Sequence, residues 1–139
     1  EAQARTGASV VNLGSRLIRT EDQDSSDTVK VVAGMDGQAL YFSRAPIPSR
    51  SQTGDVPMYQ QTGVMAFTKG FLDRFAVLSQ TPLEIAESVD MLRVLEHGIA
   101  LNVVFTETET LGVDTPEDKI RGEELLAADP FTGRYLKVS

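Results

Sequence analysis

The sequence contains no cysteine, which excludes disulfides, thiolate metal sites and cysteine nucleophiles together. It has one histidine, His97. Without a second histidine or a cysteine, His97 argues against a zinc site and against a catalytic triad. It stands just before Gly98, in the last turn of a predicted helix, where a cation suits the helix dipole. Basic residues are the minority, 13 against 20 acidic ones, for a net charge of −7. A nucleic-acid backbone is therefore not the expected partner. No apolar run is long enough to span a bilayer, and no signal peptide is recognisable. These absences give the expectation of a cytoplasmic protein with no membrane partner. What is present is ordinary: 139 residues, 41% hydrophobic and 24% charged, enough for one folded domain with a real core.

Read along the chain, "ASVVNL" and "SRLIRT" are two short extended pieces, and the acidic "TEDQDSSD" is a solvated loop. "TVKVVAGMDGQALYFSR" reads as a β-hairpin turning at Asp36-Gly37. The proline-rich "APIPSRSQTGDVP" ends the sheet as a long irregular loop over a site. "MYQQTGVMAFT" is a strand in which Gly63 marks a bulge or a close backbone approach. "KGFLDRFAVL" is a short amphipathic helix with Phe71, Leu72 and Phe75 on one face. "TPLEIAESVDMLRVLEHG" carries the strongest helix signal. Thr81, Pro82 and Glu84 form a capping start, Ile85, Val89, Leu92 and Leu95 recur at helical spacing, and Gly98 stops it. "IALNVVF" reads as a strand buried on both faces. A third helix runs from Pro116 to about Ala128, and the tail is turn-like and then extended. This order implies an α/β or α+β domain with a mixed sheet.

One residue resists this reading. In "GVDTPEDKI", Thr115 caps a helix, Pro116 opens it and Asp118 completes a capping box. Asp114 lies just outside, where helix formation asks for no charge. Its structural alternative is a second cap.

The segments "VKVV…DGQALYFSRAPIP", "GVMAF…GFLDRF", "TPLE…ES…MLRVLEHG" and "GVDTPED" follow one another over about Thr28 to Leu126. In order and spacing the series resembles the C-terminal half of the CMP-Kdo synthetase family, the 3-deoxy-manno-octulosonate cytidylyltransferases, relatives of the CMP-sialate synthetases. The resemblance implies a three-layer nucleotide-diphospho-sugar transferase-like α/β fold, of which this chain is the C-terminal half with a mixed sheet. Residues 1–27 are then a lead-in with the acidic loop, 28–128 the cytidylyltransferase half, and 129–139 a tail. It also implies a reaction in which the anomeric hydroxyl of a 2-keto-3-deoxy sugar acid attacks the α-phosphate of CTP and pyrophosphate leaves. The family uses Mg2+, and Asp114 matches its metal-binding aspartate. A carboxylate beyond a buried strand points into the crevice where open α/β sheets bind ligands, and magnesium takes one or two carboxylates plus substrate phosphates. Arg44 matches a family arginine near that crevice, with a sheet-edge arginine as the alternative. Glu84 matches a glutamate at the sugar end, though its capping box also accounts for it.

Two departures from the family alter the expectation. Gln61-Thr62-Gly63-Val64-Met65 stands where the family commonly has His-x-Gly-Ile-Tyr, and Ile85 stands where it has a polar residue. A site built to hydrogen-bond a hydroxyl rejects analogues lacking it, so with Gln61 at the sugar end the acceptor, Kdo or a related acid, is expected to be another keto-deoxy sugar acid rather than Kdo itself. The family's phosphate loop has no counterpart, since "NLGSRL" sits at the wrong place. The expectation is a half-enzyme, inactive alone, that supplies the sugar-acid, metal and homodimer side. The alternatives are a non-catalytic homodimerisation module and an unrelated acidic protein-binding domain.

Overall fold

The structure, a computed structural model, describes residues 7–51, 56–108, 110–113 and 115–135. It divides into two compact units, Glu1–Glu109 and Thr110–Ser139. Among the described residues no helix is long and apolar enough to cross a membrane.

The first unit is built on a five-stranded sheet of β1 (Val10–Arg16), β2 (Lys30–Ala33), β3 (Ala39–Ser43), β4 (Tyr59–Phe67) and β5 (Asn102–Thr106), in the order β3-β2-β4-β1-β5. β1 lies between β4 and β5 and is a single strand, so the two extended pieces expected here are one. Asn12 and Ser15 obscure it, because both are polar and both are fully buried. Gly14 lets β1 lie close to β5, Asn102–Thr106. A Cβ at Gly14 would meet the Phe105 ring at 2.9 Å and Val103 at 3.1 Å. β1 and β5 are parallel; the other pairings are antiparallel. The mixed sheet is as expected, but the burial of β5 is not. It is an edge strand, with Val103 6% and Phe105 39% exposed. The strand buried on both faces is β1.

The expected hairpin is present as β2, Lys30–Ala33, and β3, Ala39–Ser43. Its turn needs Gly37, whose φ is +81°. Beyond the turn the hairpin meets the far edge of the sheet. Ala39 N donates to Leu101 O and Val103 N to Gly37 O, both at 2.8 Å. The sheet therefore curls until its edge strands touch at one end.

β4, Tyr59–Phe67, shifts register against β1 between Asn12 and Gly14. Asn12 Nδ2 donates to Thr62 O at 3.2 Å, and Thr62 Oγ1 returns a bond to Leu13 O at 2.8 Å. No atom lies within 4 Å of a Cβ built on Gly63, so of the two roles open to it the bulge is the one observed.

The helices bring three corrections. Part of the acidic loop, Thr20–Asp24, is helix α1, with Glu21 and Asp22 in its first turn and both paired with Arg19. Acidic residues there suit the helix dipole. Helix α2, Lys69–Phe75, buries Phe71 and half-buries Phe75, but Leu72 is 47% exposed and does not share their face. The long helix expected over "TPLEIAESVDMLRVLEHG" is broken in two: α3, Pro82–Glu87, and α4, Met91–Glu96. Ser88 between them is left-handed, φ 54° and ψ 48°, a conformation costing about 1–2 kcal/mol outside glycine. Phe42, Met91, Leu92, Val94 and Leu101 anchor the core against Val10 and Val31.

In the second unit α5, Pro116–Ala128, begins with the expected capping box. Thr115 Oγ1 accepts from Asp118 N at 3.1 Å, and Asp118 Oδ2 accepts from Thr115 N at 3.0 Å. In the tail Thr132–Tyr135 forms helix α6, and the end of the tail, expected to be extended, lies outside the described residues.

Gly14→Val forces a side chain into Phe105 and Val103. The expected loss is about 1–3 kcal/mol of unfolding free energy, read as a lower urea midpoint.

Candidate functional site

The parallel pair β1/β5 gives the sheet a carboxyl end, the edge at which α/β sheets receive ligands. A cavity of about 450 Å³ opens there, lined by Arg16, Arg50, Gln23, Met58 and Glu107 among others. Arg16 Nη1 donates to Glu107 Oε2 at 2.6 Å, and Tyr59 OH to Glu107 Oε1 at 3.2 Å. Arg50 pairs with Asp24. The Arg16 hydrogen bond holds the Glu107 carboxyl below its ordinary range, while burial and Glu107 push the Tyr59 phenol up. The lining thus carries two arginines and one carboxylate, and apolar Leu17, Ile18 and Met58 complete it. A second cavity, of about 520 Å³, lies among Gly7, Asp36, Gln38, Ile99 and Asn102, toward the opposite end of β5.

None of Arg44, Gln61 and Glu84 lines either cavity. Gln61 is two residues from Tyr59 in β4, on the same face. Lys30 pairs in register with Ser43 on one side and Gln60 on the other. Arg44 and Gln61 therefore emerge at one level of the sheet, on strands either side of β2.

Arg44 is gripped from every side. Its Nε donates to Glu87 O at 2.7 Å, Nη1 to Ser26 O at 2.9 Å and Nη2 to Ser88 O at 3.4 Å. Its backbone N–H donates to Glu87 Oε2 at 2.8 Å, and its carbonyl accepts from Lys30 Nζ at 2.8 Å. The same Glu87 carboxylate accepts from Ser43 Oγ at 2.8 Å and Tyr41 OH at 3.3 Å. This network accounts for the helix break. In a continuous helix, the carbonyls of Glu87 and Ser88 would accept from the amides four residues on. Here they accept from Arg44, and Leu92 N turns to Val89 O instead.

Lys30 is fully buried, with Nζ donating to Ser25, Thr28 and Arg44 carbonyls. Burial lowers its pKa against the opposing pull of Asp24 and Glu87. For Glu87, burial raises the pKa, but bonds from the Arg44 amide, Ser43 and Tyr41 outweigh it and leave the carboxyl below its ordinary range. Tyr41 is pushed up by burial and by Glu87.

Glu84 is 5% exposed, and both its oxygens take protein donors. Arg93 grips it through Nε at 2.7 Å and through Nη2, and the Thr81 amide donates at 3.3 Å. Arg93 also stacks over Phe75, 4.8 Å from the ring centroid. Asp114 lies outside the described residues. Among the described residues no three acidic or histidine side chains gather where they could hold a metal ion.

Sequence reasoning missed Lys30, Glu87 and Arg93. Lys30 sits between β-branched residues as a solvent-facing strand residue would. Glu87 and Arg93 sat inside an unbroken helical periodicity. A polar Ser88 before Val89 was the one local hint.

A family model described as "Cytidylyltransferase" matches residues 2–109, the whole sheet-bearing unit. The chain belongs to the cytidylyltransferase family. It is 40% identical over 114 residues to the 3-deoxy-manno-octulosonate cytidylyltransferase of Acaryochloris marina, spanning 82% of this chain and 46% of that one. The enzyme of the same name from Anaeromyxobacter sp. strain Fw109-5 is 44% identical over 117 residues, spanning 84% and 48%. The 8-amino-3,8-dideoxy-manno-octulosonate cytidylyltransferase of Shewanella sp. strain ANA-3 is 40% identical over 120 residues, spanning 86% and 49%. The fold matches a solved CMP:2-keto-3-deoxy-manno-octonic acid synthetase complexed with CTP, with TM-score 0.78 and 29% identity. That match covers 90% of this chain and 52% of the other. The nucleotide-sugar-transferase-like fold is as the resemblance implied, and the chain spans about half the length of the curated relatives it matches.

The Glu84 carboxyl is held below its ordinary value, first by Arg93. A group with a depressed folded pKa contributes stability above its unfolded value, and that stability is lost as pH falls through the folded one. Acid should therefore destabilise the parent more steeply below about pH 4.5 than Glu84→Gln, when thermal midpoints are compared across that range.

Proposed function

We propose that this cytidylyltransferase chain forms the sugar-acid side of an enzyme that transfers CMP from CTP to a 2-keto-3-deoxy sugar acid. The observation that carries the reading is the match of 90% of the chain to a synthetase complexed with CTP. In the proposed reaction the anomeric hydroxyl attacks the α-phosphate and pyrophosphate leaves. The acceptor is 3-deoxy-manno-octulosonate or a close relative such as its 8-amino counterpart, the two acids in the names of the similar enzymes. Gln61 and Ile85 are the side chains that would tell such acids apart.

Arg44 offers guanidinium N–H groups to the acid's carboxylate. Gln61 faces the sugar from β4, and Glu84, locked to Arg93, braces the helix beside it. Asp114 would hold Mg2+ together with phosphate oxygens, the donor set magnesium ordinarily accepts. The metal supplies charge neutralisation on the phosphates when bound. The site of action is the cytoplasm, where CTP is made.

The chain alone is proposed to be inactive, because it spans about half the length of the relatives whose names carry the activity. A non-catalytic homodimerisation role is the second reading. It is supported by Leu40, 65% exposed in "ALYFS", and Val64, 63% exposed in "GVMAF". The two β-edges add to it, since exposed edges invite pairing.

Pyrophosphate release from CTP, Mg2+ and 3-deoxy-manno-octulosonate decides the first reading. The 139-residue chain should give background rates only; turnover abolished by Asp114→Ala would refute its inactivity while supporting the metal role. Light scattering at micromolar concentration should find a homodimer that Leu40→Glu weakens. A monomer in the parent chain would remove the dimer proposal.

A further inference from the structure

Arg44 is held by more partners than a surface arginine needs. Two charges, half-buried Glu87 and fully buried Lys30, clamp its peptide backbone from opposite directions: Glu87 takes the amide at 2.8 Å and Lys30 the carbonyl at 2.8 Å. The carbonyls of Glu87 and Ser88 then take two of its guanidinium N–H groups, and Ser26 a third. A guanidinium has five N–H donors. Among the described residues three are spent on protein, and two remain to meet an anion in a plane the protein has already fixed. The arrangement requires Ser88 to be left-handed and interrupts a helix that the local sequence would otherwise continue. Strain retained beside a fixed cation is a mark of function rather than of folding economy.

We propose that Glu87 is a positioning residue, which sets Arg44 for the carboxylate of the sugar acid. This rests on the reading of Arg44 given above. Glu87 does not touch the ligand. It acts through its carboxylate on the Arg44 amide and through its carbonyl on the Arg44 side chain, so that Arg44 meets the ligand without being ordered first. Ordering a long side chain on binding opposes affinity, and so does losing a hydrogen bond to a charged group.

The test is an NMR titration of the 15N-labelled chain with 3-deoxy-manno-octulosonate, following the Arg44 Nε–H signal. In the parent this signal should shift on titration. Glu87→Ala should weaken the apparent affinity about ten- to hundredfold. Glu87→Gln should restore most of it, since the amide oxygen still accepts from the Arg44 amide. Glu96→Ala is the structural control. Glu96 caps α3 through the amides of Leu83 and Glu84 at 3.0 and 3.3 Å, so its loss should lower the thermal midpoint and leave the affinity unchanged. If Glu87→Ala does not fold, Glu87→Asp keeps the charge but draws it back by one methylene, and it should weaken binding in the same direction. Parent-like affinity in the folded Glu87 variant overturns the proposal, provided Arg44→Ala binds weakly. Equal loss in Glu96→Ala also overturns it, because the effect would then be general destabilisation. No Arg44 shift in the parent, or parent-like binding by Arg44→Ala, overturns the reading of Arg44 and this proposal with it.

Discussion

The charge cluster of Lys30, Arg44 and Glu87 is the constraint on which much of the first unit turns. Two cations and one carboxylate sit among three elements: Lys30 is fully buried and donates to three carbonyls, while Arg44 and Glu87 are half-buried and bonded to each other. Buried charges are tolerated on those terms only. Once Lys30 is fixed between Ser43 and Gln60, the end of β3, the turn after α1 and the end of α3 have a common anchor. The break at Ser88 follows, because α3 gives its last carbonyls to Arg44 and cannot continue into α4.

Most of the elements were legible in the sequence, and the exceptions share a cause. The β2/β3 hairpin, the bulge at Gly63 and the start of α5 rest on local chemistry: a turn pair, a glycine, a capping box. These signals depend on few neighbours, and the structure bears them out. The failures lie where distant partners intervene. β1 looked like two pieces because Asn12 and Ser15 are polar, yet Asn12 serves a bulge on β4 and Ser15 Oγ donates to Thr108 O at 2.8 Å. β5 looked doubly buried because its residues are apolar, although only β1 flanks it along its length. Leu72 was assigned to the wrong face by spacing alone.

The candidate site was legible in part. Its residue types came through the resemblance, and the family match agrees with that resemblance. What the sequence could not convey is that Arg44 and Glu84 are each locked to a half-buried partner of opposite charge, Glu87 and Arg93. Those partners lie 43 and 9 residues away along the chain, and no short motif encodes such pairs. The cavity at the carboxyl end of β1/β5 was equally hidden, since it is assembled from segments spread from Arg16 to Glu107.

The broken helix also resets the phase of its two halves. In one continuous helix Ile85 would share a face with Val89 and Leu92 and be committed to the interior. With the turn at Ser88, Val89 and Leu92 stay buried while Ile85 is 66% exposed. Position 85 is thereby released from core packing, and exchanges at such exposed positions generally alter stability by no more than about 0.5 kcal/mol. Evolution can therefore rewrite the residue after Glu84 almost freely, while the buried residues on either side of the kink keep the scaffold constant. Exchanges at position 85 thus leave the fold intact.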